Sequence, residues 1–372
     1  MYVADNIRSV LQWNGFLCIL PMYKNREFHK QTIFAYAISV VFVALFVYSI
    51  IFKFQGNRNS GVFMDCILIT GMTITNSATL IGAVHWNYES INEMFKSFNM
   101  ADKLLQKEAK LFDVVKIFLL LNFFLILLIA YHVYTWTFEQ DVLEYRYRVI
   151  EMILMYYSTL TVFTEYLLLA HLLKRFEIFN SIQENHDFFK ITLQSSYQQT
   201  EMLASLHNIL CDLCDYFNDI YGWQVLMSIF NIVFNILKMI DFILNTYEEL
   251  TTNHLVFVII ITVFYCAQGV VIATKCEQIA NEGKRTVTIA YKALHRYSSI
   301  QNLRDKLFIL AQQASARSPQ FTAAGFFTVD YSMLFTFVNL ITTYVIVIIQ
   351  FSAPTTTAPK FIIVNGTVTP VS

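Results

Sequence analysis

The order of apolar and polar positions divides the chain into long greasy stretches separated by charged ones. Runs of about 20 residues with few charges recur at about Thr32–Phe54, Val62–Val84, Val114–Phe138, Val149–Leu173, Gly222–Leu244 and Leu255–Thr274. A helix of that length, rising about 1.5 Å per residue, matches a hydrocarbon core about 30 Å thick. A seventh stretch, Asp330 to Phe351 (DYSMLFTFVNLITTYVIVIIQF), is greasy but not uniform. Ser332, Thr336, Asn339, Thr343 and Gln350 fall at steps of 4, 3, 4 and 7, which puts them on one helical face, and the stripe breaks at Ile346 and Val347. The pattern predicts an all-α, polytopic membrane protein with seven transmembrane helices.

A polar stripe on a membrane helix must face something other than lipid tails. Packing against another helix satisfies that requirement. So does a water-filled pore, with the apolar break as a dewetting constriction. One helix encloses no pore, so the second reading needs several copies of the chain about a shared axis.

Between the greasy stretches a helical period of another kind appears. Leu203, Leu206, Leu210, Leu213 and Phe217 follow a 3, 4, 3, 4 spacing, and Ile300, Leu303, Leu307, Leu310 and Ala314 repeat it. Each of the segments 174–221 and 275–317 reads as a long amphipathic helix, packed within one subunit or shared in an anchor that joins subunits. Ser318-Pro319 ends the second, and Gly325 sits where the chain turns back. The expected organisation is an N-terminal segment (1–31), spans one to four (32–173), a helical extension (174–221) and spans five and six (222–274). An anchor helix with its re-entry turn (275–325), the last helix (326–351) and a tail (352–372) complete it.

Composition agrees: 56% of the 372 residues are hydrophobic and only 14% charged, against about a quarter charged in soluble domains. A net charge of −1 gives no sign of a nucleic-acid partner. Charge position carries more information than charge total. Residues 1–31, 85–112, 174–221 and 275–325 hold 4, 4, 3 and 8 Lys and Arg, while 53–60, 138–148, 245–254 and 352–372 hold 2, 2, 0 and 1. This 19-to-5 asymmetry puts the N-terminus in the cytoplasm and, after seven spans, the C-terminus outside. Asn365, in the sequon Asn365-Gly366-Thr367, then becomes a candidate glycosylation site on the outer tail. A chain that starts inside is unlike a G-protein-coupled receptor.

The patch Phe16 to Leu20 is too short for a span and has no cleavage site, so no signal peptide is expected. The six cysteines do not form a disulfide pattern, since only Cys66 approaches the outer side. Cys211 and Cys214 make a lone C-x-x-C that equally suits one helix face, and no metal or cofactor is expected. There is no P-loop, H-E-x-x-H or nucleophile elbow, so no enzyme is expected.

Polar groups inside the spans are the candidates for ligand contact. Lys238 and Asp241 lie three apart near the outer end of the fifth span and are close enough to pair, structurally or around a ligand. Glu165, deeper in the fourth span, is expected to have a structural partner. Asp65, Tyr131, His132, Tyr134 and Trp136 approach the outer side on spans two and three. Tyr156 and Tyr157 lie at a similar depth on the fourth, and Tyr265 with Gln268 near the middle of the sixth. Aromatic walls with a few placed polar groups suit a sugar face or a flat plant metabolite, and equally an interfacial belt.

The end of the chain resembles a known family. Thr343-Tyr344, five apolar residues and Gln350-Phe351, preceded by FTAAGFFTVDYSML (Phe321 to Leu334), are similar to the C-terminal signature of insect gustatory receptors. The resemblance implies a homo- or hetero-tetrameric, ligand-gated cation channel in the plasma membrane. Its partners would be a small-molecule tastant, cations and membrane lipid. The last helix of each subunit would line the pore, with Gln350 and Phe351 at the gate. The sugar-sensing branch of that family carries Glu after the Thr-Tyr pair, where this chain has Val345. That departure favours a bitter plant compound or a fructose-type sugar as ligand. A metabotropic or transporter-like receptor without channel activity is the rival class.

Overall fold

The computed structural model describes residues 25–56, 60–105, 114–139, 142–185, 193–246, 252–297, 299–352, 361–364 and 367–370. Its helices, in chain order, are α1 (Asn25–Gly56), α2 (Ser60–Ile81), α3 (Tyr88–Leu105), α4 (Val114–Glu139), α5 (Val142–Asn185), α6 (Leu193–Thr246), α7 (Thr252–Arg296), α8 (Gln301–Ala316) and α9 (Tyr331–Ser352). A π-helical turn, Gly82–Trp86, closes α2. Two antiparallel hairpins complete the elements: β1 (Thr322–Ala323) with β2 (Phe327–Thr328), and β3 (Phe361–Val364) with β4 (Thr367–Pro370). Residues 1–24 and the sequon Asn365 lie outside the described residues.

Six described helices carry stretches long and apolar enough to cross a membrane: Gln31–Ile51, Asp65–Trp86, Val114–Thr135, Val149–Glu184, Thr200–Ile240 and Leu255–Arg296. The seventh, α9, has 22 residues, about 33 Å of helix. Helix is the expected solution, because in lipid every backbone N–H and C=O must find its partner within the segment. Small hydroxyl residues are carried by donating to the carbonyl one turn back, as Ser39 does to Ala35 (2.9 Å), Thr75 to Gly71 (2.7 Å) and Thr164 to Leu160 (2.9 Å).

The core has two parts. One lies among the spans and includes Leu68, Met72, Leu125, Leu154, Leu160 and Ile261. The other lies where α5, α6 and α7 run on past the spans, here called the anchor end. There Phe176 and Phe179 of α5 meet Leu206 and Leu210 of α6 and Leu307 and Leu310 of α8. The 3, 4, 3, 4 faces of the two amphipathic segments are the buried ones, from Leu203 to Phe217 and from Leu303 to Ala314, with Ile300 packed at the edge.

One expectation about the anchor needs correction, and one helix was not foreseen. Residues 275–317 do not form one helix: α7 ends at Arg296, and α8 begins at Gln301 and packs back against α7. Residues 85–112 are more than a loop. They contain α3, which lies along α6 and buries Ile91, Met94, Phe98, Ala101 and Leu105, again at 3, 4, 3, 4 spacing. Arg175 of α5 ties α3 down, reaching both carboxylate oxygens of Asp102 at 2.9 and 2.7 Å with its guanidinium over the Phe98 ring.

Candidate functional site

The chain returns from the anchor to α9 through a pinned turn. Ala324 and Gly325 take positive φ of 50° and 77°, so β1 reverses tightly into β2. Asn218 of α6 holds the entry with both ends of its amide, donating to the Gln320 carbonyl (2.8 Å) and accepting from the Thr322 N–H (3.0 Å). Just before this, Arg317 pairs with Asp212 at 2.7 Å and with Asp215. Partial burial opposes its charge, but the hydrogen bonds to Asp215 and Asp212 outweigh that and hold the guanidinium well above its ordinary pKa.

Asp330 then caps α9, its Oδ1 accepting from the Met333 N–H (3.1 Å) and the Ser332 hydroxyl (2.5 Å), while Oδ2 accepts from Thr328 (2.9 Å). Burial raises its pKa, but these donors more than compensate and hold the carboxyl below the ordinary range.

From the cap, α9 presents two unlike faces. Met333 is buried, and Leu334, Phe337, Ile341 and Tyr344 are half-buried on the side that packs against α6 and α7. Ser332, Thr336, Asn339, Thr343 and Gln350 are exposed, and so are Ile346 and Val347 at the break. The backbone at Phe351 is helical, but its side chain lies outside those described. Thr336 and Thr343 donate their hydroxyl hydrogens to the carbonyls of Ser332 (3.1 Å) and Asn339 (2.8 Å), so the oxygens face outward as acceptors. With no charged residue anywhere in α9, this surface attracts cations weakly and repels none. Apolar residues flank the stripe, with Phe335 72% and Val338 59% exposed.

A second polar group lies inside the bundle. Lys238 of α6 places Nζ 2.6 Å from Asp65 of α2 and 2.6 Å from Glu151 of α5, with all three side chains nearly buried. These partners lie on two other helices; the expected pairing with Asp241 falls on a side chain outside those described. Tyr265 of α7 is buried beside Glu151 and hydrogen-bonded to Asn235. Gln268 donates to Thr159 at 3.2 Å. His132 of α4 is buried, its ring 4.7 Å from that of Phe257, and Tyr131 donates to the Asn253 carbonyl at 3.2 Å. Tyr156 donates to Asn122 within the bundle (2.7 Å), and Tyr157 packs edge-on against Phe42. Tyr134 is 52% exposed, and the Trp136 side chain is not among those described. The structure thus gathers Asp65, Lys238 and Tyr265 around Glu151, and sets Tyr134 apart from the buried polar groups.

Sequence reasoning passed over Glu151, although an acid two residues into a span carries the same signal as Asp65. Glu165 lacks the structural partner expected of it. Neither carboxylate oxygen accepts a hydrogen bond from a described residue, and Glu165 lines a cavity of about 10 Å³ with Ser228, Gln268, Val329 and Met333, room for about one water.

Among the described residues, six helices long and apolar enough to cross a membrane, a shorter apolar last helix and a helical anchor make up a multi-pass membrane protein. The chain matches the 7tm chemosensory receptor family model over residues 7–353 and belongs to that family. Putative gustatory receptor 28a of Drosophila melanogaster is 29% identical over 160 residues, 41% of this chain and 35% of that protein. Gustatory receptor 68a of Drosophila melanogaster is 35% identical over 82 residues, 22% of this chain and 20% of that protein. The matched part therefore spans about a third of the first relative and a fifth of the second. Among solved structures, the insect olfactory receptor OR5 from Machilis hrabei is similar over 94% of this chain and 100% of its own, with TM-score 0.66 and 14% identity. The same receptor in complex with eugenol aligns over the same shares with TM-score 0.65 and 14% identity. At that identity the likeness is one of fold.

Proposed function

We propose that this chain is a subunit of a tetrameric gustatory receptor, homomeric or formed with related receptors, that acts as a tastant-gated, non-selective cation channel of the plasma membrane. The observation that carries the reading is the exposed row of hydroxyl and amide side chains on α9 of a single subunit. Left against lipid, that row is unfavourable; turned toward a shared axis, it becomes the wall of a water-filled path. The N-terminus is cytoplasmic in this reading and the C-terminus outside, as the basic asymmetry requires.

The ligand site lies in the outer part of the bundle among α2, α5, α6 and α7, around Asp65, Glu151, Lys238 and Tyr265. A related fold takes up eugenol in OR5, which supports a compact organic ligand here. With Val345 in place of an acid, the ligand is a bitter plant compound or a fructose-type sugar. The test is agonist-evoked current in excised patches without nucleotides or G proteins, screened with a panel of both compound classes. A response that survives only in cells with intact second-messenger signalling assigns the chain to the metabotropic class instead.

A further inference from the structure

A second cavity lies away from the buried ion-pair cluster, toward the anchor end. Its volume is about 370 Å³, and it opens between the end of α2 and the middle of α6. That is the lower part of the range for sites that take small organic molecules. One wall is the π-helical turn Gly82–Trp86 with Asn87 behind it. Such turns interrupt helices mostly where a function needs the space. The other wall is Asp219 to Met227 of α6.

The cavity's charged group, Asp219, and its buried unsatisfied atom, Gln224 Oε1, are both acceptors. The Thr75 hydroxyl is engaged with the Gly71 carbonyl at 2.7 Å. The Asn87 amide donates to the Ile220 carbonyl at 3.2 Å, which leaves its Oδ1 to accept. Gln224 is only 8% exposed, yet its Oε1 accepts no hydrogen bond. Asp219 is exposed and makes no ion pair with another described residue. Trp86 and Trp223 stand at the rim, 67% and 59% exposed. No lysine or arginine lines the cavity.

A pair of interfacial tryptophans alone would serve as a membrane anchor. That role does not account for a buried amide oxygen without a donor, nor for a carboxylate in the same lining that has no ion-pair partner among the described residues. Both ask for a cation that carries N–H groups, and the indole faces favour the same charge. A phospholipid amine headgroup fits poorly, because its phosphate would meet Asp219 and find no basic side chain. We infer that this cavity is a binding site for a protonated organic amine with an apolar body, separate from the ligand site proposed above. Its position gives it a route to α9. Trp223 packs edge-on against Phe326 in the turn before that helix, ring centroids 5.9 Å apart. A side chain at the neighbouring Gly222 would place Cβ 3.1 Å from the Ala324 amide nitrogen.

The test is equilibrium binding to the full chain in phosphatidylcholine nanodiscs, which needs no channel current and so stands apart from the channel reading. The probes are 4-phenylbutylamine, the neutral 4-phenylbutan-1-ol and the anionic 5-phenylpentanoate. The amine should bind at least about tenfold more tightly than the alcohol, and the carboxylate should not bind measurably. Asp219→Asn and Trp223→Leu should each weaken the amine by about tenfold, and Asp305→Asn, at an exposed carboxylate of α8, should leave it unchanged. Asp219 is exposed, so its variant tests the charge without disturbing the fold, and an unchanged elution profile checks this. Equal affinity for amine and alcohol overturns the inference, as does an amine affinity unchanged in Asp219→Asn. Displacement of the amine by phosphatidylethanolamine in the nanodisc, dependent on Asp219, overturns it in favour of a lipid headgroup.

Discussion

Replacing Lys238 with Met should destabilise the bundle more than any single polar change in the spans. Nζ lies 2.6 Å from one oxygen of Asp65 and 2.6 Å from one of Glu151, so those oxygens are no more than about 5 Å apart. Side-chain exposures of 9%, 12% and 7% leave little water to compensate the charges. At an effective dielectric of about 20, two carboxylates at that distance repel by about 3 kcal/mol once the ammonium is gone. Removing one member of a buried ion pair costs about 3–5 kcal/mol by the same logic. Lys238→Met should therefore lower the thermal midpoint of detergent-solubilised protein and its surface expression. The triple variant Asp65→Asn, Glu151→Gln, Lys238→Met should recover most of the loss, because no charge is then left uncompensated. Size-exclusion elution monitored by fluorescence after a heating series reads both effects. Two results defeat the reasoning: a single variant as stable as the parent, or a triple variant no better than the single one.

Truncating Phe351 to Ala should raise ligand-independent current by on the order of tenfold, equivalent to moving the closed–open balance by about 1.4 kcal/mol. Gln350→Ala should mainly change conductance or ion preference, and single-channel recording normalised to surface protein reads both. An unchanged resting open probability in Phe351→Ala makes that ring a lipid-facing anchor instead. Asp330→Ala removes the cap of α9 and should cost about 1 kcal/mol, seen as a lower thermal midpoint. Because the folded-state pKa of Asp330 lies below its ordinary value of 3.8, the cap's contribution is complete above that value. It is lost as pH falls through the lower folded value, so parent and variant should converge in stability only in strong acid.

What was readable in the sequence follows from what each signal measures. Apolar length reports membrane crossing directly, so the seven helices could be placed from composition alone. Period reports burial, and the faces from Leu203 to Phe217 and from Leu303 to Ala314 are the buried ones. The same period from Ile91 to Leu105 was present and overlooked, because the segment is short and charged enough to pass for a loop. The turn at residues 297–300 escaped notice because no Pro or Gly marks it. Partner choice inside the membrane was the least readable. A charge at i and another at i+3 suggest a pair on one helix, but they give no sign that Lys238 also reaches across to α2 and α5. Spacing along one helix says nothing about which residues neighbouring helices bring to the same depth.

The proposed gating rests on which helices α9 touches. Its packed face meets α6 and α7, and these two helices also carry Lys238 and Tyr265. Each is a single unbroken element, 54 and 45 residues long, so a tilt imposed at the ion-pair cluster is delivered as a displacement beside α9. A ligand among α2, α5, α6 and α7 need not touch α9 to act on it. It needs only to bind one tilt of α6 and α7 more tightly than the other, and it shifts the population by no more than that difference. The exposed stripe fixes what the shift can do. Adjacent residues on a helix point about 100° apart, so a modest turn of α9 exchanges the apolar break at Ile346 and Val347, or Phe351, for the neighbouring acceptors. In a tetramer that exchange occurs four times at one level, and a small rotation per subunit is enough to wet or dry the path.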